Sequence, residues 1–275
     1  MKHNRRTALI GAMVGLVGFA ATLTGTASQA QDATADSLLN EIQQRGVLRV
    51  GTTGDYFPMS FREVGKDEFV GHQIDAAREM AKDLGVEVEF VTTEWKTMIT
   101  GIQAGRYDIA MSGTSMSLSR AKVVGMSTPW GINGFVPVVL KQNADQYSSW
   151  DDLNSPDRTA GVTLGTTMED YIRAELPNAK MRRVESPGTG WQEVLAGRSD
   201  YTVTTLIEAS GLQKRYDQIQ MIFPEQSRAA LPMAFLTPID DQIWLNYVNN
   251  WILLKKQAGY FDTLNEKWGV VLLKD

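Results

Sequence analysis

The stretch Ala104 to Gly113, AGRYDIAMSG, returns in altered form at Ala196 to Thr205 as AGRSDYTVTT, and the glycines of the two copies stand 92 residues apart. In each copy a run with helical spacing ends on Ala-Gly-Arg, and an Asp two residues later leads into an apolar or β-branched stretch. Glycine is a natural helix stop, because it takes up left-handed backbone angles without steric cost. Two copies with matching flanks predict a chain built from two similar α/β halves, each carrying one helix–Ala-Gly-Arg–strand unit.

The flanking pattern agrees. Leu38, Leu39 and Ile42 recur at helical spacing before Gly46, and Val47 to Val50 reads as a buried strand. A helix over 71–85, a half-wet strand over 86–93, a helix over 95–106 and a strand over 107–113 follow. Phe135 to Leu140 is a further strand, after which the alternation restarts: strand 160–165, helix 166–176, strand 179–186, helix 190–198, strand 199–205 and helix 207–217. A last strand over 231–238 precedes two amphipathic helices over 240–259 and 260–269. Strands alternating with helices predict mostly parallel sheets. No Pro- or Ser-rich linker separates the halves. The expected form is therefore two lobes joined by two hinge crossings, with the chain leaving lobe 1 near Val138 and returning near Met233. That assigns 31–138 and 233–275 to lobe 1 and 139–232 to lobe 2, with a ligand in the cleft at the carboxyl ends of the strands.

The first thirty residues stand apart from this pattern. A basic head (Lys2, Arg5, Arg6), an apolar middle broken by Gly and Thr, and small residues at Ser28 and Ala30 make a cleavable signal peptide. The expected location is the periplasm, reached by the general or the twin-arginine route. Removing the segment takes away three basic residues and no acidic ones, leaving 24 basic against 32 acidic, a net charge of −8. Such a chain is a poor partner for nucleic acid. It has no Cys, and His72 is the one imidazole left after the signal. Thiolate chemistry and a multi-His metal site are thereby excluded, and neither metal nor cofactor is expected. His72 follows Gly71 at a helix start and reads as an exposed first-turn residue rather than a base.

The segments RGVLRVGTTGDYFPMSF, GHQIDAAREMAKDLG, DIAMSGTSMSLSR and AGRSDYTVTTLIEA together resemble the periplasmic solute-binding proteins of family 3. These serve ABC importers of amino acids and related compounds, and the resemblance covers nearly all of residues 36–270. Within the family the chain is most similar to the cyclohexadienyl dehydratase branch, whose members keep the binding-protein fold but dehydrate and decarboxylate prephenate or arogenate. The resemblance implies the type II periplasmic-binding-protein fold: two lobes, each a mostly parallel sheet with flanking helices.

It also implies roles for particular residues. Arg120, closing the segment that contains Ser112, Gly113 and Ser115, would grip the ligand carboxylate, a task suited to a guanidinium fork. Asp55 and Tyr56 would form a cleft wall, with Trp95 and Trp130 at strand or loop edges as candidate ligand sandwich or core. Thr166 and Thr167 open a helix whose free N–H groups favour an anion, and Glu169 stands in capping-box spacing to Thr166. Thr205 occupies the position where amino-acid binders of the family usually carry an Asp for the ligand ammonium. Glu208 matches the proton donor of the dehydratase branch, a role that needs a desolvated carboxyl. Around it Thr163 and Met168 replace amide side chains, and Phe135 replaces a Lys. The expected function is capture of a small carboxylate for an ABC permease in the inner membrane, with a dehydratase using Glu208 as its acid as the alternative; a receptor's sensor module would use the same cleft.

Overall fold

The computed structural model describes residues 37–63 and 65–273; the signal-peptide segment lies outside them. Lobe 1 opens with α1 (Leu38–Arg45), which is capped by Ser37 and stopped by Gly46 at φ 73°. The chain continues through β1 (Val47–Thr52), a small sheet of β2 (Asp55–Tyr56), β3 (Ser60–Arg62) and β4 (Phe69–Val70), then α2 (His72–Leu84) and β5 (Glu87–Thr92). Next come α3 (Met98–Gln103), β6 (Ile109–Ser115), α4 (Leu118–Ala121) and β7 (Gly125–Met126). The long strand β8 (Gly131–Leu140) leads into lobe 2, made of β9 (Thr159–Thr163), α5 (Thr167–Glu175), β10 (Lys180–Val184), α6 (Gly190–Leu195), β11 (Tyr201–Thr205), α7 (Leu206–Arg215) and β12 (Ile219–Met221). A second long strand, β13 (Arg228–Thr237), leads back to α8 (Gln242–Gln257) and α9 (Tyr260–Trp268).

One sheet runs through both lobes in the order β10-β9-β11-β8-β13-β6-β1-β5. Its two wings are parallel: β1 pairs with β5 and β6, and β9 with β10 and β11. The middle is antiparallel. β8 and β13 pair through Gly131–Met233 and Leu231–Asn133, while β8 pairs with β11 farther along, from Phe135–Thr205 to Val139–Tyr201. Two adjacent strands therefore carry the chain between lobes, and β13 shifts register on both sides of Pro232. Strand β5 sits at one edge of the sheet and alternates exposed and half-buried positions, as its sequence alternation requires.

Each lobe has its own apolar centre. In lobe 1, α2, α8 and α9 cover the sheet with Ile74, Met80, Trp244, Val248 and Phe261. In lobe 2, Phe135, Tyr147, Trp150, Leu153, Ile172 and Tyr201 pack together. One sequence expectation changes here, and one open alternative is decided. His72 is fully buried, not exposed. Its Nε2 lies 2.9 Å from Asn265 Oδ1, its Nδ1 lies 3.0 Å from Gln73 Nε2, and its ring packs in one cluster with those of Trp130 and Phe261, which also stack on each other. Burial pushes its pKa down to about 4, so it is a neutral packing group. Trp130, 1 % exposed, belongs to the same aromatic stack and is core rather than ligand wall.

Candidate functional site

The cleft lies where the carboxyl ends of β1 and β6 meet those of β9 and β11. On the lobe 1 side, hydroxyls knit the strand ends together: Thr52 Oγ1 bonds both Ser60 Oγ and Ser112 Oγ, and Ser112 Oγ also accepts the Thr53 N–H. Gly113 takes φ 75° with Tyr56 and Met59 pressed against it, so a side chain there would be strained and crowded. This network aims the loop after β1. Asp55 accepts from Trp95 Nε1 at 2.9 Å, and the Tyr56 ring packs edge-on to Trp95.

Lobe 2 supplies the opposite wall. Thr166 caps α5, its hydroxyl accepting the Glu169 N–H at 3.2 Å. Glu169 reaches back to the Gly165 N–H at 3.0 Å and is held by Arg173 and Arg183, so it shapes the turn. Thr205 caps α7 in the same manner, accepting the Glu208 N–H at 3.1 Å. Both helices thus begin at the cleft, and their caps explain why Thr stands at 166 and 205.

Between the walls is a cavity of about 30 Å³ lined by Asp55, Tyr56 and Trp95 from lobe 1. From lobe 2 come Val162, Thr163, Thr166, Met168, Thr189, Gly190, Trp191, Thr202, Val203, Thr204 and Glu208. That volume holds one or two waters. The lobes touch around it: Asp55 accepts from Ser186 Oγ at 2.6 Å, Tyr56 Oη and Thr205 Oγ1 are 2.6 Å apart, and Lys96 pairs with Glu185 at 2.6 Å.

Arg120 sits on this seam. Its Nη1 donates to Ser115 O at 2.9 Å within lobe 1, and its Nη2 donates to Gly165 O at 3.0 Å across in lobe 2. Burial lowers its pKa, opposed only by the charge of Asp170, and among the described residues no carboxylate lies within ion-pair distance of it. Among the described residues this half-buried guanidinium donates only to neutral carbonyls, and such a group attracts an anion. Glu208 is its counterpart in lobe 2. It is 7 % exposed and its carboxyl is bonded by the Thr204 hydroxyl. Burial, reinforced by the charge of Asp55, pushes its pKa up to about 8 against the Thr204 bond, so it holds a proton at neutral pH. Burial also raises the Tyr56 phenol, with a further contribution from Glu208.

Of the residues named from the sequence, the cavity brings together Asp55, Tyr56, Trp95, Thr166 and Glu208. Arg120 borders it through Gly165, with Ser115 holding the guanidinium by its carbonyl. Ser112, Gly113, Thr167 and Thr205 stand behind the walls; the Thr205 hydroxyl is engaged by Tyr56 and the α7 cap. Thr163 and Met168 do line the cavity. Phe135 does not: it is 1 % exposed and packs edge-on to Tyr171 in the lobe 2 core, because its side chain falls on the face of β8 turned away from the cleft. Sequence reasoning missed Thr189, Gly190, Trp191, Thr202 and Thr204. For Thr204 a signal existed in its i, i+4 spacing to Glu208; for the others, which come from two separate segments, there was none.

The chain is similar to known proteins over most of its length. The profile of the bacterial extracellular solute-binding proteins, family 3, matches residues 48–271. Cyclohexadienyl dehydratase of Pseudomonas aeruginosa is 31% identical over 248 residues, covering 90% of each chain. The L-cystine-binding protein TcyJ of Escherichia coli is 31% identical over 272 residues, covering 98% of this chain and 97% of its own. Among solved structures, an ancestral amino acid-binding protein described as a precursor of cyclohexadienyl dehydratase superposes with a TM-score of 0.79 at 40% identity, over 84% of this chain and 99% of that one. With its two-lobed sheet, its seam cavity and this match over most of its length, the chain belongs to the bacterial extracellular solute-binding proteins of family 3.

Proposed function

We propose that this protein captures a small carboxylate of amino-acid type between its lobes and delivers it to an ABC permease in the inner membrane. The observation that carries this reading is Arg120, a guanidinium on the lobe seam that among the described residues meets only two carbonyl oxygens. A ligand carboxylate replaces Gly165 O with a charged, bidentate partner. Asp55, which bridges Trp95 and Ser186, offers a partner to a ligand ammonium from the other side of the cavity. A cavity of about 30 Å³ is too small for an amino acid, so the lobes part to admit the ligand and close on it. Export through the N-terminal signal and residence in the periplasm complete the reading. The test is a thermal-shift screen of the chain lacking residues 1–30 against carboxylates and their matching amides. Stabilisation by one carboxylate and not by its amide is expected, since a ligand that binds the folded state alone raises stability with its concentration. Equal shifts for acid and amide would remove Arg120 from the ligand contact.

A second reading is favoured by one observation: Glu208, on the cavity wall, is a buried carboxyl that is protonated at neutral pH. It could give its proton to a departing hydroxyl, as a dehydratase acid must. Against that, Thr163 and Met168 place a hydroxyl and a thioether where a substrate's second carboxylate would need amide or charged donors. Prephenate incubated near pH 7 with the native chain and with Glu208→Gln separates the two. Phenylpyruvate release of about 1 s⁻¹ or faster, lost in the variant, would make the protein an enzyme.

A further inference from the structure

The loop after β1 has two faces. Asp55 and Tyr56 line the inner cavity, and Phe57 and Pro58 form part of an outer groove of about 690 Å³. One wall of this groove is aromatic and belongs to lobe 1. Phe57 and Phe61 meet edge to face at 4.8 Å, and Phe61 meets Trp268 of α9 at 6.0 Å. The other wall is the last turns of α7 in lobe 2, with Lys214 and Arg215. The walls touch at Gly211, where a Cβ would come within 2.7 Å of the Phe57 ring, and the Arg215 guanidinium lies 5.3 Å from that ring's centre. Both cations are exposed, and among the described residues neither has a carboxylate within ion-pair distance. Glu63, the one acid on the rim among the described residues, is paired with Lys66 at 2.6 Å and reaches Arg215 only through its longer-range charge.

We propose that this groove is a second binding site, for a small aromatic carboxylate whose ring lies on Phe57, Phe61 and Trp268 and whose anion is taken by Lys214 and Arg215. Its volume is in the range of small-molecule sites. Rings stacked edge to face offer an incoming ring both faces and edges, and two unpaired cations at one end match a single anionic group. The site is separate from the inner cavity but mechanically joined to it. The loop that carries Phe57 carries Asp55 and Tyr56, and the helix that carries Lys214 begins beside Thr205 and Glu208. An occupant touching both walls binds only when they are close, so its binding holds the lobes together and ligands at the two sites favour each other.

The test uses 3-phenylpropanoate as the probe and calorimetry on the chain lacking residues 1–30, first as Arg120→Met, which replaces no residue that lines the groove. Saturable binding is expected there, weakened about tenfold or more in Arg120→Met carrying Lys214→Glu and Arg215→Glu, and by a similar factor for 3-phenylpropanamide. Amide exchange over Thr53 to Phe57 should slow when the probe is bound. The proposal is overturned by no binding up to about 10 mM, by binding indifferent to the two charge reversals, or by binding that native protein shows and Arg120→Met lacks. Binding without slowed exchange in the loop would overturn the coupling of the groove to the lobes.

Discussion

The two Ala-Gly-Arg units are alike in how they build and unlike in what they deliver. In both, the helix stops on a left-handed glycine, Gly105 at φ 63° and Gly197 at φ 68°. In both, the following Asp clasps the neighbouring parallel strand. The Asp108 N–H donates to Arg49 O at 2.9 Å and its carboxylate accepts the Arg49 N–H at 2.8 Å; Asp200 does the same to Thr159, at 2.8 and 2.7 Å. The conserved geometry is thus a device for setting register between a strand and the start of the next. What differs is the environment and the exit. The Asp108 side chain is fully buried and grips Arg45 at 2.5 Å and Arg49 at 2.7 Å, whereas that of Asp200 is 38% exposed with Arg158 only at 4.0 Å. Beyond β6 the chain brings Arg120 to the cleft, and beyond β11 it brings Glu208. Scaffold and chemistry are separable: the repeat lies at the amino ends of the strands, the working groups at the carboxyl ends.

This contrast can be broken by measurement. Asp108→Ala leaves Arg45, Arg49 and a strand N–H without their acceptor, and it should destabilise the chain by about 3 kcal/mol in chemical denaturation. Asp200→Ala removes a half-exposed acceptor and should cost about 1 kcal/mol. Equal losses would mean that the two clasps carry the same load despite their burial. Between these lies the pH dependence contributed by Glu208. Because the folded state keeps its proton up to about pH 8 while the unfolded chain loses it near 4.5, the folded state binds more protons in that window. Stability contributed by this group therefore falls as pH rises from about 4.5 to 8, by up to about 1.4 kcal/mol per pH unit for one proton. Glu208→Gln should flatten that part of a melting-temperature profile; an unchanged slope would show that Glu208 titrates normally.

Much of the frame was legible because it rests on local rules. Periodicity, glycine stops and helix caps located the alternating elements of both wings, and the repeat pointed to two lobes. The tight environment of His72 was not legible. Gly71-His72 looks like an exposed helix start, and only the distant partners Asn265, Trp130 and Phe261 bury it. The same holds for Phe135, whose side of β8 depends on pairing with β11, a strand that lies 70 residues away in sequence at Phe135–Thr205 and 62 at Val139–Tyr201. In the cleft, the residues on strand ends and helix caps were readable as a group. The direction of each side chain was not: Thr205 turns to Tyr56, and Trp191 reaches the cavity from the start of α6.

The central claim is that Arg120 is the carboxylate anchor of the seam, and it is tested most directly by the affinity of the best carboxylate from the screen for Arg120→Met and Arg120→Lys, measured by calorimetry beside the native chain. Met removes the charge and the fork, and Lys keeps the charge alone. The expected result is a loss of about a hundredfold or more for Met and a smaller but clear loss for Lys, in the range found when one partner of a buried charged pair is truncated. Binding by Arg120→Met within about threefold of the native chain, less than 1 kcal/mol, would contradict it and move the anchor elsewhere in the cleft.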